Sequence, residues 1–150
     1  MDKKGLKIWH ISDTHTYHGL LTIPENIDIV IFSGDTSIIK DVIRTEQDVL
    51  DFMFWYSKLP IKYKIFVAGN HDLAIERNRV TPADFASNGI YYLMNSSVII
   101  ENLKIWGSPI TPTYGEGWAF NKPRDKTYKV WSMIPQDTDI IVTHGPAKGI

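Results

Sequence analysis

Ile27-Asp-Ile-Val-Ile-Phe-Ser-Gly-Asp35 is a short β-branched apolar run that ends abruptly in a Gly-Asp pair. An apolar run of this length, bounded by turn residues, predicts a strand that is buried on both faces of a sheet. Open α/β sheets bind ligands at the carboxyl ends of their strands. Asp35 therefore lies where chemistry is expected, and three other segments of the chain are predicted to converge on it.

Two further segments follow the same pattern of a strand that ends in polar residues. Residues 6–11 lead into the polar loop 12–19, and residues 63–68 lead into Gly69-Asn-His-Asp72. Between the second and third strands, Thr45-Glu-Gln-Asp48 resembles a capping box and predicts the start of a helix. Strands that alternate with a helix are typical of a parallel sheet whose site lies on one edge. The sequence therefore predicts a mixed α/β sheet domain.

The second half of the chain predicts shorter elements around a long irregular segment. Thr81-Pro-Ala-Asp84 predicts a helix start, with Thr as the cap and Pro at the first helical position. Short apolar runs separated by turn residues predict an antiparallel pair or meander beside the parallel sheet, over residues 90–93, 98–101 and 103–106. The segment 107–126 is rich in Pro and Gly and is predicted as a loop, which at this length is more often functional than passive.

Composition limits the class of protein. The 150 residues suffice for one domain, predicted over residues 1–150, and a net charge of −1 leaves no basic surface for duplex nucleic acid. The absence of cysteine excludes disulfides, Cys-based zinc sites and a Cys nucleophile. The polar start of the chain does not resemble a signal sequence, and no apolar stretch approaches the ~20 residues that span a membrane. We therefore predict a soluble, cytoplasmic domain with no membrane partner.

Four predicted strand ends present side chains of the types that bind metals. The last of them follows a helix predicted over residues 126–133 and a strand predicted over residues 139–143. The four strand ends carry carboxylates, imidazoles and one amide but no thiolate, namely Asp13 and His15, Asp35, Asn70 and His71, and His144. In a parallel sheet these ends meet on one edge, so the side chains are expected to share a pocket. This donor set suits Mn²⁺, Fe or Zn²⁺ better than Mg²⁺ or softer metals. Because a carboxylate has two oxygens, Asp35 is the natural bridge between two cations, which at roughly 3.5–4 Å apart clamp a phosphoryl group.

The order of these motifs resembles that of a known family. Asp13-x-His15, Gly34-Asp35, Gly69-Asn-His-Asp72 and His144-Gly145 are similar to the motif blocks of calcineurin-like metallophosphoesterases. The resemblance is closer still to the small metallophosphoesterase-domain proteins related to cyclic-nucleotide phosphodiesterases, and it covers essentially the whole chain. It implies a calcineurin-like phosphoesterase fold, a mixed β-sheet flanked by helices.

The resemblance also implies a ligand set for two divalent metal ions. Asp13 and His15 would bind the first ion, Asp35 would bridge the two ions, and Asn70 and His144 would bind the second. Mn²⁺ is the first expectation, with Fe or Zn²⁺ as alternatives.

The catalytic roles implied by the resemblance fall on the Asn-His-Asp block. His71 would be the general acid that protonates the leaving alkoxide, and Asp72 would orient His71 and raise its pKa. The nucleophile would be a hydroxide held between the metals. The predicted function is hydrolysis of a small phosphoester, with a phosphodiester such as a cyclic nucleotide as the best guess.

One block of the family is absent from this sequence. The family closes both metal sites with a Gly-His-x-His segment, whereas this chain has no Gly-His dipeptide and ends at Ile150, six residues after His144. Each metal would then lack one imidazole, which predicts a C-terminally truncated chain or an unusual short homologue. A partner chain or water could fill the open positions, and an exposed sheet edge would favour self-association.

Four further residues are candidates for substrate contacts. His18 follows the Asp-x-His loop and could face the substrate. In the long loop, Trp118 and Phe120 could stack on a base and Asn121 could hydrogen-bond to it, although loop aromatics are as often hydrophobic plugs. The alternative to an enzyme is a nucleotide-binding or regulatory module with an incomplete metal site and little turnover. The missing block favours that alternative, and the intact His71-Asp72 pair opposes it.

Overall fold

The computed structural model describes residues 5–146, and its centre is a four-stranded parallel sheet. The strand order is β1-β2-β3-β4, with bounds Ile8–Ile11 (β1), Ile29–Ser33 (β2), Tyr63–Val67 (β3) and Tyr91–Tyr92 (β4). Each neighbouring pair is parallel. All five residues of β2 are buried, which confirms the strand predicted from the opening apolar run.

A second sheet of three strands packs against the first. Its order is β5-β6-β9, where β5 and β6 are antiparallel and β6 and β9 are parallel. The bounds are Ser96–Ile100 (β5), Leu103–Ser108 (β6) and Ile140–Thr143 (β9). Two short parallel strands, Thr111–Pro112 (β7) and Asn121–Lys122 (β8), lie within the segment predicted as an irregular loop.

Two predictions about these strands were wrong. Residues 90–93 do not join the antiparallel pair, because the preceding helix returns the chain so that β4 runs parallel to β3. The strand that precedes His144 does not belong to the first sheet, because β9 pairs with β6. The four strand ends therefore come from two sheets rather than from one.

Helix α1, Val42–Lys58, packs on the first sheet through a buried face of Val49, Phe52, Met53 and Tyr56. The prediction that it begins with a cap at Thr45 was wrong. Asp41 is the N-cap and its Oδ1 accepts a hydrogen bond from Arg44 N at 2.9 Å. The Thr45 hydroxyl is buried within the helix and donates to Val42 O at 3.0 Å, so it has no capping role.

Three shorter helices complete the described part of the chain: Leu73–Glu76 (α2), Pro82–Ser87 (α3) and Arg124–Trp131 (α4). The capping box at the start of α3 confirms the predicted helix start, with Thr81 N donating to Asp84 Oδ2 at 2.7 Å. Helix α4 begins two residues before its predicted start at residue 126. No helix between residues 5 and 146 is long and apolar enough to cross a membrane.

Two apolar clusters hold the layers together. The larger lies between the first sheet and the helices and contains Phe32, Phe52 and Phe66. The smaller lies between the two sheets, where Ile29 and Ile65 meet residues of the second sheet. Because both sheets are fixed to each other by this second cluster, the loop after β9 is brought to the same edge as the loops after β1, β2 and β3.

Candidate metal centre

The loops after β1 and β2 continue the parallel pairing beyond the strands themselves. Asp13 N donates to Gly34 O at 2.8 Å and His15 N donates to Asp35 O at 3.2 Å. Asp13, His15 and Asp35 have φ values of +51°, +43° and +68°, which are uncommon for residues with a side chain. Backbone strain of this kind persists where the surrounding structure enforces it, and it clusters at functional sites.

Two glycines allow the loops to approach closely. A Cβ on Gly34, whose φ is +103°, would lie 2.6 Å from both Gly69 Cα and His144 Nδ1. A Cβ on Gly69 would lie 2.2 Å from Asp35 Oδ1. Both positions therefore require glycine, because a larger residue would push Asp35 away from the neighbouring loops.

Asp35 lies at the centre of the site, and its two carboxylate oxygens face different groups. Oδ2 is 3.9 Å from His15 Nε2 and 3.8 Å from His71 Nε2, while Oδ1 is 3.4 Å from His144 Nε2. Asp13 Oδ1 adds a carboxylate oxygen 3.9 Å from His15 Nε2. The structure thus brings together the predicted ligands from all four loops around Asp35.

The closest groupings of ligand atoms differ from the pairing implied by the resemblance. Ligand atoms within 4.8 Å of one another form two sets that share Asp35, one with His15 and His71 and the other with Asp13 and His144. The resemblance instead pairs Asp13 with His15 and leaves His71 unligated. The division of ligands between two ions, and the role of His71, stay predictions.

Two of the predicted ligands, His15 and His144, are oriented by backbone carbonyls. His15 Nδ1 lies 2.7 Å from Ser37 O, and His144 Nδ1 lies 2.8 Å from Ser33 O. If each Nδ1–H donates to its carbonyl, Nε2 keeps a lone pair that points into the site, which is how metal-ligating histidines are usually held. His144 Nε2 then faces Asn70 Oδ1 at 2.7 Å, acceptor against acceptor, an arrangement that a shared cation stabilises.

The electrostatics of the site also favour a cation. Burial raises the pKa of the Asp35 carboxyl to about 6, with His144 opposing the shift and Asp72 adding to it. Within residues 5–146, the ion-pair partners of Asp35 are all histidines. A buried carboxylate without a permanent positive neighbour is costly, and a divalent ion offsets that cost. The donor set, its orientation and its charge therefore fit divalent metal ions.

Asp72 has a structural role in addition to the one that the resemblance implied. Its fully buried carboxylate accepts hydrogen bonds from Gly69 N at 2.6 Å, Asp35 N at 3.1 Å and Thr36 N at 2.9 Å. The Thr36 hydroxyl donates a fourth at 2.6 Å. Asp72 therefore ties the loop after β2 to the loop after β3, and none of these bonds reaches the His71 ring.

The pKa of His71 is lowered overall, although Asp72 raises it as the resemblance implied. Burial is the largest cause and the neighbouring His15 adds to it, while the negative charge of Asp72 opposes both. His71 N donates to Asp35 Oδ1 at 2.8 Å, which fixes the backbone of His71 beside the predicted metal ligands. Its Nδ1 is buried and has no hydrogen-bond partner within the described residues.

Three of the four substrate candidates lie in packed surroundings. His18 is buried against α1, with Nε2 3.2 Å from Asp51 and its ring 5.3 Å from that of Phe52. Phe120 belongs to the larger apolar cluster and is 4% exposed. Asn121 lies in β8, where its Nδ2 donates to the Thr111 hydroxyl at 2.9 Å.

Trp118 is the substrate candidate that the structure places beside the site. Its ring centroid is 4.3 Å from that of His71. Sequence reasoning missed two of its neighbours, Tyr114, which stacks on it with centroids 6.3 Å apart, and Lys40, whose Nζ lies 3.7 Å from the ring centroid. Lys40 is distant in sequence, and no local pattern signals this contact.

Comparison with known proteins gives several related chains. One match is 38% identical over 92% of this chain, but it covers 13% of a protein of Emericella nidulans named probable rhamnogalacturonate lyase C. The human metallophosphoesterase domain-containing protein 1 is 30% identical over 93% of this chain and 48% of its own length. A UPF0046 protein of Caenorhabditis elegans is 29% identical over 96% of this chain and 52% of its own length. The chain thus spans about half the length of these last two relatives, and much less of the first.

A family model matches nearly all of the chain and agrees with the motif order and the fold. The model for calcineurin-like phosphoesterases, Metallophos, covers residues 6–150. Relatives named for a metallophosphoesterase domain, together with the UPF0046 proteins, confirm the branch inferred from the motifs. This chain belongs to the calcineurin-like phosphoesterase family.

Proposed function

We propose that this chain is a metal-dependent phosphoesterase that hydrolyses a small phosphoester, with a phosphodiester such as a cyclic nucleotide as the favoured substrate. Membership of the family supports hydrolytic phosphoester chemistry in general. The observation that carries the proposal is Asp35, a buried carboxylate whose two oxygens face histidines from three different loops. The small net charge of −1 favours a small substrate over a nucleic-acid polymer.

Five side chains would hold the cofactor, which we propose to be two divalent ions, Mn²⁺ before Fe or Zn²⁺. They combine carboxylate, imidazole and amide donors, and they are Asp13, His15, Asp35, Asn70 and His144. Divalent cations at such a site neutralise phosphate charge and lower the pKa of bound water. The backbone carbonyls that accept from His15 and His144 keep both Nε2 atoms directed inward, so the ligands are oriented before any ion binds.

His71 is the proposed general acid for the leaving oxygen. Its Nε2 lies 3.8 Å from Asp35 Oδ2, so the imidazole would lie beside a phosphate held by ions bound at Asp35 and would protonate the leaving alkoxide there. Burial lowers the pKa of His71 in the absence of substrate. An anionic phosphate nearby favours the imidazolium form of His71. Binding of the substrate would therefore protonate the imidazole, which then donates that proton to the leaving oxygen.

The test is hydrolysis of bis(4-nitrophenyl) phosphate, 4-nitrophenyl phosphate and a panel of cyclic nucleotides by the chelator-treated chain after Mn²⁺ is restored. We expect turnover that requires the metal, and a kcat lower by about 10²–10⁴-fold in His71→Ala. His10→Ala is the matched control, because His10 lies on β1 with its Nε2 2.8 Å from the Ser33 hydroxyl, outside the ligand set.

Faster cleavage of the diester than of the monoester would support the phosphodiester assignment, and the cyclic-nucleotide panel would identify the base. An absence of turnover with every substrate at full metal loading would contradict the proposal. Nucleotide binding in that case would favour the alternative of a binding module.

A further inference from the structure

The segment 113–118 places two aromatic side chains beside the proposed general acid. The Trp118 ring lies 4.3 Å from the His71 ring between centroids, and the Tyr114 ring is within 24° of parallel to Trp118. The segment is anchored to the site, since Ala119 N donates to Asn70 O at 2.9 Å. Trp118 is partly exposed and Tyr114 is 61% exposed, so neither ring is a core residue.

A lysine from the loop after β2 lies over the Trp118 ring. Lys40 Nζ is 3.7 Å from the ring centroid and donates to Glu116 O at 2.8 Å. This contact places the face of an electron-rich ring next to a positive charge, at the edge of the metal centre. Lys40 and Glu116 are both exposed, so the contact can be exchanged for another without disturbing the core.

The position of His71 decides which part of a substrate meets Trp118. A general acid protonates the leaving oxygen, so the leaving group, rather than the phosphate, must lie on the side of His71. Because Trp118 contacts the His71 ring, that leaving group is brought against the indole. A flat aromatic leaving group would stack there, and stacking of a base on an aromatic side chain is generally stronger than an exposed cation–π contact.

We propose that Trp118 is the stacking platform for an aromatic leaving group, and that Lys40 leaves the ring when such a substrate binds and pairs with its phosphate. The inference rests on the proposed function, because it uses His71 as the general acid. It assigns substrate selectivity to two residues that lie outside the metal ligands. The feature that Trp118 would recognise is a flat aromatic ring, which a nucleoside or an aryl alcohol would supply as the leaving group.

The test compares two monoesters that differ only in the aromatic group, with dissociation constants measured by calorimetry in the presence of Mn²⁺. Adenosine monophosphate carries a base, and ribose 5-phosphate carries the same sugar and phosphate without it. We expect the wild-type chain to bind adenosine monophosphate about ten-fold more tightly or better. Trp118→Leu should reduce that ratio to near one, because neither ligand then has an indole to stack on.

Lys40→Met tests the second part of the proposal, the pairing of Lys40 with the phosphate. It should weaken adenosine monophosphate about five-fold, because the displaced lysine is no longer there to pair with the phosphate, and weaken ribose 5-phosphate less, because a ligand without a ring does not displace Lys40 from Trp118. The matched controls are Phe54→Leu and Lys58→Met, since Lys58 Nζ lies 5.5 Å from the Phe54 ring centroid on α1 in another aromatic–lysine pair. Neither control should change either affinity.

Phenyl phosphate distinguishes the two sources of an aromatic ring. If Trp118→Leu weakens phenyl phosphate as much as adenosine monophosphate, any aryl group is accepted; if it weakens only the nucleotide, the nucleobase is selected.

A wild-type ratio near one, or a ratio that Trp118→Leu leaves intact, would overturn the proposal for Trp118. Unchanged affinities in Lys40→Met would overturn the part played by Lys40. Because binding is measured, a failure of the proposed hydrolysis alone would leave these ratios as expected.

Discussion

Two carboxylates at the same edge of the molecule, those of Asp72 and Asp13, are held in opposite ways. Asp72 is fully buried and accepts four hydrogen bonds from the loops after β2 and β3. The Asp13 side chain is 52% exposed and contacts His15 Nε2 at 3.9 Å. The polypeptide itself therefore fixes the inner part of the site, which is Asp72 and the loops that it joins, whereas we expect the side chain of the outer part, Asp13, to become ordered only when a cation binds.

Removal of Asp72 should have the largest effect on the stability of the chain. Asp72→Ala leaves the buried donors Gly69 N, Asp35 N and Thr36 N without their acceptor. We expect the free energy of unfolding to fall by about 3–5 kcal/mol in urea denaturation without metal, because each unsatisfied buried donor costs about 1–3 kcal/mol and the loops relax in part. Asp13→Ala should change it by no more than about 0.5 kcal/mol. Equal losses in the two variants would remove the distinction between inner and outer parts.

Addition of Mn²⁺ should reveal the dependence of the outer part on metal. At a concentration about 100 times the dissociation constant, one bound ion raises the free energy of unfolding by about 2.7 kcal/mol. We expect Asp13→Ala to lose at least part of this increase while its metal-free stability stays at the wild-type value. The measurement is urea denaturation with and without Mn²⁺. A wild-type increase retained in full by Asp13→Ala would show that Asp13 binds no ion.

Loss of the Thr36 hydroxyl should lower the free energy of unfolding more than loss of a matched hydroxyl elsewhere in the chain. Thr36→Val removes the 2.6 Å hydrogen bond to Asp72 Oδ1, and we expect a loss of about 2 kcal/mol, because hydrogen bonds to charged groups contribute about 1.5–3 kcal/mol. Thr45→Val is the matched control, since Thr45 is equally buried but donates to the neutral Val42 O. Its loss should be about 1 kcal/mol. A larger loss in the control would mean that Asp72 is not the stronger acceptor.

His18 should produce the smallest effect, visible only in the pH dependence of stability. Burial lowers the pKa of His18, with Asp51 opposing the shift. Between its lowered folded value and about 6.5, the unfolded chain binds more protons, so this contribution to stability is complete above about pH 6.5 and is lost as the pH falls. His18→Gln should therefore show a smaller decrease than wild type in the free energy of unfolding between pH 7.5 and 5.5. An equal decrease would contradict the lowered pKa.

The candidate ligands could be predicted from the sequence because their signals are local. The buried run of β2 that ends in Gly34-Asp35 identified both the strand and the position of Asp35, and Asn70 and His144 were found at the ends of other strands. The start of α1 was misplaced because Asp41 and Thr45 are both good caps, and only packing decides that Thr45 turns inward.

What the sequence could not reveal depends on contacts between distant segments. The partners of Asp72 lie in two different loops, so its role in joining them is invisible in the Asn-His-Asp block alone. The pairing of β9 with the second sheet and the contact of Lys40 with Trp118 likewise arise only when the layers pack. The order of the motifs identifies the candidate ligands, whereas contacts between distant segments determine how the loops that carry them are held.

The most direct test of this account is the amount of Mn²⁺ bound per chain, measured by equilibrium dialysis and elemental analysis for wild type and Asp35→Ala. Asp35 faces His15 and His71 through one oxygen and His144 through the other. We predict two ions per wild-type chain and the loss of both in Asp35→Ala, because the bridge serves each of them. A variant that keeps one ion at the wild-type affinity, or a wild-type chain that binds none, would contradict the bridging role of Asp35.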